Sequence, residues 1–288
     1  MQHKRNRHLT FLAAPLQWLG LKFLRSTPGR LASLFLHAVL SLFSDKRNFK
    51  TDMRNIIVQA YSYGVEVFPI MFFVALILGA FVILQTLTVI SKMGLSDSVG
   101  SVMTIMIVRE LGPIFTAFLI AGRSGSATTT YIGGMQINSE VDALSTMGID
   151  PVRYLVMPVL FGGCIATFIM NICFDVFSIG GGFFVAWLIN MFSDTFNLQF
   201  TWQFLSTAFI TSVTSTDLVM VILKPVLFGA ILVTNACYQG LNVQRDIRQL
   251  PPAVSRSVIY SFLYIVLANA ILAAFYIFDY INEFSKII

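Results

Sequence analysis

The sequence predicts an all-α polytopic membrane protein, and three observations carry that reading. The 288-residue chain is 56% hydrophobic and only 11% charged, whereas soluble domains carry roughly 25% charged residues. It contains several apolar runs of about 18 residues or more, the length that crosses a bilayer as a helix. These runs lack the polar–apolar alternation of a transmembrane β-barrel. The net charge of +5 does not point to nucleic acid, because ten of the 19 Lys/Arg precede Glu66, among them Arg5, Lys22, Arg30 and Arg54. A basic flank before the first span reads as cytoplasmic anchorage on anionic lipid. Cys164, Cys173 and Cys237 all fall in apolar runs, without the spacing of a disulfide framework or a metal site.

Residues 1–28 form a basic N-terminal arm. "LTFLAAPLQWLGL" imitates a signal peptide, but Lys22 and Arg25 follow it and no small-x-small cleavage site does, so the arm is expected to stay attached. Residues 29–45 predict an interfacial amphipathic helix: Ser33, His37, Ser41 and Ser44 make one stripe, and Leu31, Leu34, Phe35, Ala38 and Leu42 the other. A membrane domain is expected over 60–280. Its first span runs from Val65 to Ile90, the turn "SKMGLSDS" follows, and the second span runs from Gly100 to Arg123. Ser124 to Asp150 reads as a polar, Gly-containing stretch. Later spans fall at Leu218–Tyr238 and Val258–Phe278, with a basic loop at Arg245, Arg248 and Arg256 between them.

The apolar stretch 154–192 would be roughly 58 Å long as one helix, against a hydrocarbon core of about 30 Å. It is either two crossings or one crossing plus a re-entrant or interfacial segment near 176–192. The positive-inside rule selects one net crossing, which keeps the basic loop on the side of Arg123, Arg153 and the arm. Asp175 then falls about 32 Å from Tyr154, at the outer interface, and Gly180-Gly181-Gly182 would let the chain turn back. The expectation is five net transmembrane helices, with the N-terminus cytoplasmic and the C-terminus outside.

Within "VRELGPIFTAFLIAGRSGSATTT", Leu111 to Gly122 is too short to span alone, so Arg109 and Glu110 must lie inside a helix that starts near Gly100. Arg123 falls near the inner end, where it can snorkel. Adjacent helical residues point about 100° apart, so Arg109 and Glu110 need partners on other helices or a wet cavity. Lys224, at similar depth and followed by Pro225, is a candidate partner for Glu110. Two readings stand: a buried ion network that fixes helix packing, or a polar spot lining a substrate cavity with Val82, Gln85, Val89 and Leu111 on its walls.

No Gly-x-x-x-x-Gly-Lys-Ser/Thr loop occurs, so ATP hydrolysis is not expected of this chain. No Ser-His-Asp set is available either, since His3, His8 and His37 all lie in the arm and surface helix. "GRSGSA" reads as a tight exit from the membrane. In "GGMQINSEVDALSTMGIDPVRYLVMP", Ser139 can cap a short helix with Glu140 and Asp142 in its first turn. Leu144 and Met147 give that helix an apolar side, Gly148 ends it, and Asp150-Pro151 starts the next element. The result is a short amphipathic cytoplasmic helix at 138–149, with two readings: an ordinary connection between two spans, or a docking helix for a soluble partner.

"RELGPIFTAFLIAGRSGSA" and "EVDALSTMGIDPVRYLVMP" closely resemble the permease subunits of MCE-associated ABC transporters, the MlaE/YrbE family. Leu84-Gln85, "KPVLFG" at Lys224 to Gly229 and Gln239-Gly240 extend the resemblance over 29–280. It implies a homodimeric permease in a bacterial inner membrane, or in a plastid envelope of bacterial descent. The implied partners are an ATPase that binds ATP and Mg, an MCE-domain lipid-binding protein on the opposite side and, in some systems, a small STAS-domain subunit. The implied substrate is glycerophospholipid moved between inner and outer membranes. Arg109 and Glu110 would belong to the lipid cavity, and Glu140 to Pro151 to the coupling helix. The sequence departs from the family at Tyr131, where an acidic residue is usual, and at "DIRQLPPAVSRSV", where Gly, Ala and Thr are usual. The alternatives are a secondary transporter using Arg109, Glu110 and Lys224 as an ion relay, or a scaffold for envelope proteins.

Overall fold

The structure, a computed structural model, describes residues 27–44, 49–93, 104–192 and 215–287. The arm at 1–26, residues 45–48, the link at 94–103, the segment at 193–214 and Ile288 lie outside them. Every described element is a helix.

Helix α1 spans Thr27–Ser44. Ala38 is fully buried, with Leu34 and Phe35 packed beside it, while Arg30, Ser33 and His37 face out. Ser41, expected on the polar stripe, is buried, and its hydroxyl donates to the Ala38 carbonyl at 2.7 Å. Helix α2, Phe49–Val65, has no counterpart in the sequence reading, because its polar residues give no sustained apolar run. It runs into α3, Phe68–Met93, through a turn at Glu66–Val67. There the Val67 N–H donates to Gly64 and the Met71 N–H to Val67, at 3.1 and 3.0 Å.

The next rod is continuous from 104 to 137. It comprises a π-helical segment Thr104–Leu111, α4 at Gly112–Ile120, a π turn at Ala121–Gly125 and α5 at Ser126–Ile137. The joining residues Leu111, Ile120, Ala121, Gly125 and Ser126 keep right-handed helical dihedrals. Gly122–Ala127, read from the sequence as a tight exit from the membrane, make no turn and stay helical. The hydroxyls of Ser126 and Thr130 donate to carbonyls four residues back, at 2.6 and 2.9 Å, so these polar side chains are satisfied without leaving the helix. Arg123 consequently sits well inside the rod, about 21 Å from Ile137. It does not snorkel from a helix end; it pairs with Glu66 at 2.9 Å.

Helix α6, Glu140–Thr146, follows. A π turn at Val152–Val156 then leads into α7, Met157–Phe192, an unbroken helix of 36 residues. The expected re-entrant or interfacial segment near 176–192 is absent: Gly180–Gly182 do not turn the chain. Two of these glycines serve packing instead. A Cβ on Gly181 would press on Leu76, and one on Gly182 would press on the Gly79 carbonyl. From the other side, a Cβ on Gly79 would overlap the Ser178 carbonyl. The α3 and α7 backbones thus touch, as small residues allow in membrane helices. Asp175, expected at the outer interface, is buried against neighbouring helices at 7% exposure.

Helix α8 spans Ser215–Leu241 and α9 spans Leu250–Ile287, joined through a short 3-10 turn at Ile247–Gln249. Pro251 and Pro252 occupy the first turn of α9, where a missing N–H costs nothing, so the helix begins before the expected Val258. Among the described residues, four helices are long and apolar enough to cross a membrane, within α3, α7, α8 and α9. The expected second span, Gly100–Arg123, falls on the 104–137 rod, which is not one of these four. Helix α7 is the hub, 67% buried over its apolar window against 11% for α9, and it packs on α2, α3 and α8. Gly162 lies against Ile56 and Gln59 of α2, Gly163 against Val233 of α8, and Gly229 against Cys164.

Candidate functional site

Arg109 and Glu110 occupy the last turn of the π-helical segment, directly before Gly112-Pro113. Proline has no N–H, so Pro113 leaves the Arg109 carbonyl without its usual helical donor. Lys224 of α8 supplies one: its Nζ donates to the Arg109 carbonyl at 2.5 Å and to Glu110 Oε1 at 2.9 Å. The second carboxylate oxygen, Oε2, accepts from Asn269 Nδ2 of α9 at 2.9 Å. Both oxygens of Glu110 are thus held, one from each of two neighbouring helices. The Lys224 side chain is sealed at 4% exposure while Glu110 keeps 39%. The pair is closed at the lysine and open at the carboxylate.

The sequence brought Glu110 and Lys224 together through their depth. Asn269 was missed, because a single Asn in an apolar span has no periodic signature. Arg109 and Leu111 are half-buried. On α3, Val82 is buried at 3% exposure, so it packs inside the protein rather than on an open wall. The exposed side of that helix carries Phe81, Leu84 and Gln85. The side chain of Val89 lies outside the described residues.

At the other end of the rod, a second layer of polar contacts joins α5, α8 and α9. Asn235 Nδ2 donates to the Ser257 carbonyl at 2.8 Å and to Ser261 Oγ at 2.9 Å. The Thr129 hydroxyl lies 3.1 Å from the Ala236 carbonyl and 2.9 Å from Ser257 Oγ. A Cβ on Gly240 would crowd Ile132. Such interhelical bonds each contribute about 0.6 kcal/mol in lipid, and here they bind three rods into one unit.

Beyond that layer lies the predicted docking segment. The helix is shorter than expected, and Ser139 does not cap it: it adopts φ 61°, with no side-chain cap bond. Asn138 instead donates to Glu140 Oε1 at 3.2 Å. Gly148, at φ +76°, ends the segment as expected, and Asp150 Oδ1 accepts from the Val152 N–H at 3.0 Å. Val141 is buried and Leu144 half-buried, while Glu140, Met147, Ile149 and Asp150 are exposed. Pro151 is half-buried. Three contacts pin this segment: Asp142 to Arg245, Asp150 to His37 at 3.2 Å and Arg153 to Asp52 at 3.4 Å. Among the described residues no His/Cys/Asp/Glu group could hold a metal ion.

A bundle of apolar helices, four of the described ones long enough to cross a membrane, with an ion cluster inside it and a pinned, exposed short helix, defines a multi-pass helical membrane protein. Residues 56–275 match the model of the family described as Permease MlaE, and the chain belongs to that family. It is 28% identical to a probable ABC transporter permease protein of Rickettsia prowazekii, over 74% of this chain and 80% of the relative. It is also 28% identical to the intermembrane phospholipid transport system permease protein MlaE of Haemophilus influenzae, over 75% of this chain and 80% of the relative. A chloroplastic protein of Arabidopsis thaliana, trigalactosyldiacylglycerol 1, is 25% identical over 79% of this chain and 63% of its own length.

Proposed function

We propose that this chain is the membrane permease subunit of an ATP-driven ABC transporter that moves phospholipid between inner and outer membranes and so maintains outer-membrane lipid asymmetry. The observation that carries the reading is the Glu110 carboxylate. It is anchored by Lys224 and Asn269 yet left part-open inside the membrane domain, in a chain whose relatives include a phospholipid-transport permease. Charged groups inside a bilayer need partners, and a half-open cluster suits a polar head group entering from an apolar wall. Arg109 contacts the lipid phosphate through charge-assisted hydrogen bonds, and Glu110 with Lys224 keeps it in place. Leu111, Gln85 and the outer face of α3 hold acyl chains.

Two copies of the chain form the permease. A separate ATPase subunit holds ATP and Mg and docks on the Glu140–Pro151 segment, where Met147 and Ile149 offer apolar contact. An MCE-domain lipid-binding protein sits on the opposite side, with a STAS-domain subunit in some assemblies. The membrane is a bacterial inner membrane or a plastid envelope derived from one, with the N-terminus cytoplasmic and the C-terminus periplasmic. The test is affinity purification of the tagged chain in mild detergent, followed by identification of bound proteins and lipids. An ATPase, an MCE-domain protein and glycerophospholipid are expected. Purification of the chain with no ATPase, together with ion-gradient-driven transport, would establish the secondary-transporter reading instead.

A further inference from the structure

Both π-helical stretches of the rod present charge. Arg109 and Glu110 lie in one, and Arg123 lies in the other, Ala121–Gly125. Glu110 and Arg123 are about 20 Å apart along the rod. Arg123 Nη1 donates to Glu66 Oε2 at 2.9 Å, and the two side chains are 44% and 49% exposed. Among the described residues neither side chain has a further partner. A guanidinium carries five N–H donors and a carboxylate two acceptor oxygens, so the pair keeps both kinds of group to spare.

Glu66 lines a cavity of about 230 Å³ between α2, the rod and α7. Arg123 lines the open depression beside it, and the two share Ala127 and Tyr131. The cavity floor is fixed. Tyr63, Ser124 and Thr128 are buried, the Tyr63 and Thr128 hydroxyls share a hydrogen bond, and Ser124 Oγ donates to the Tyr63 carbonyl at 3.1 Å. Gln59 and Ser62 of α2 add an amide and a hydroxyl to the wall, and Tyr131 is exposed. The volume is far above the ~10–15 Å³ that a single water needs.

The level of the cavity points to its occupant. Glu66 directly precedes the apolar window of α3, Phe68–Thr86. Val159, also on the wall, lies about 10 Å inside the α7 window that opens at Val152. The cavity therefore straddles one edge of the hydrocarbon, where lipid head groups begin. Helix α2 exposes Ile57, Val58 and Tyr61, a surround that suits acyl chains better than a water-borne anion.

We propose that this cavity is a second phospholipid head-group site, selective for a zwitterionic aminophospholipid such as phosphatidylethanolamine. Arg123 takes the phosphate through charge-assisted hydrogen bonds. Glu66 takes the ammonium as an ion pair, and the exposed Tyr131 ring offers it a π face. A phosphatidylglycerol head group brings the phosphate without the cation, sets it beside the Glu66 carboxylate and binds less well. The inference rests on the reading of the chain as a phospholipid permease. Under the orientation proposed above, it adds a stop at the cytoplasmic leaflet to a route whose other stop is Glu110.

The experiment uses the full complex in vesicles of phosphatidylethanolamine and phosphatidylglycerol. One of the two lipids at a time carries a diazirine near its head group, and labelled peptides are mapped by mass spectrometry after illumination. The ethanolamine probe should label the peptides around Gln59 and Tyr131 about tenfold more than the glycerol probe, the lower end for a hydrogen bond between charged groups. Glu66→Gln should abolish that preference, and Arg123→Gln should lose labelling by both probes. Ser62→Phe fills the wall without touching the ion pair and should also lose both, so the test survives if a charge variant fails to fold. Equal labelling by the two probes in the wild type, an unchanged preference in Glu66→Gln, or labelling that survives Ser62→Phe would overturn the proposal. So would an unlabelled wild type whose Gln59 and Tyr131 peptides cross-link to a second copy, which would make this face a contact between copies. Glu110→Ala should leave labelling here intact. If it also transports normally, the phospholipid reading of Glu110 fails and this site stands; if transport needs Glu110 but nothing labels here, this site fails alone.

Discussion

Removing the Glu110 side chain separates packing from transport. In Glu110→Ala the Lys224 ammonium stays sealed, with 4% of its side chain exposed, and keeps only the Arg109 carbonyl as acceptor. Breaking a buried ion pair from one side costs about 3–5 kcal/mol. Glu110 is 39% exposed, so part of its charge is already screened and the lower end, about 3 kcal/mol, applies. That is roughly a hundredfold in the folded population. Lys224→Met should cost less, about 1–2 kcal/mol, because Glu110 keeps Asn269 and its open side. The double variant Glu110→Ala, Lys224→Met removes both charges and should recover most of the loss. The assay pairs thermal unfolding of the purified complex, followed by size exclusion, with transfer of a fluorescent phospholipid between vesicles. Stability should return in the double variant and transport should not. Equal stability of Glu110→Ala and wild type would refute the energetic argument. Full transport by the charge-free double variant would reduce the cluster to a packing device.

Three further outcomes are expected. Gly79→Leu should prevent accumulation of the folded chain, because its Cβ meets the Ser178 backbone and α3 cannot approach α7; normal yield in membranes would contradict this. Asp142→Lys should release the ATPase and Asp142→Arg with Arg245→Asp should recapture it, since the two residues pair across the docking segment; pull-down of the ATPase decides, and retention by the single variant would make the pair incidental. A C-terminal reporter active only in the cytoplasm should stay silent, as the positive-inside placement of the basic segment at Arg245–Arg256, one span before the C-terminus, requires; an active reporter would reverse that orientation.

The fold class was legible because membrane burial writes itself as length and apolarity, and the Glu110–Lys224 pair because intramembrane charges are few. Spans were misplaced where glycine and hydroxyl residues serve packing. Gly180–Gly182 look the same in one dimension whether they turn a chain or let two backbones touch, and only Gly79 on the facing helix distinguishes the two. Ser126, Thr129 and Thr130 resemble a loop, yet each hydroxyl returns to its own helix. Helix α2 was unreadable because it is buried along one side by a neighbour 100 residues away, as Gly162 against Gln59 shows. Asn269 and Asp175 act through contacts of high sequence separation, which no spacing rule reports.

The same rod carries both ends of the proposed machine. Glu110 lies about 40 Å from Ile137 along it, and Ile137 leads within three residues into α6. Movement of the docking segment therefore reaches Glu110 only if the rod shifts against α8, which holds Lys224. Its two π-helical stretches, Thr104–Leu111 and Ala121–Gly125, have a geometry that occurs frequently at functional sites. Near its other end the rod is fastened to α8 at Thr129, 3.1 Å from the Ala236 carbonyl. A disulfide between Thr129→Cys and Ala236→Cys, made in a chain lacking Cys164, Cys173 and Cys237, would make that contact permanent. The oxidised complex should retain its ATPase and its bound phospholipid but lose lipid transfer, and reductant should restore it. If the locked complex transfers lipid as fast as the reduced one, α5 and α8 move together, and the signal to Glu110 must travel through α7 or across the dimer.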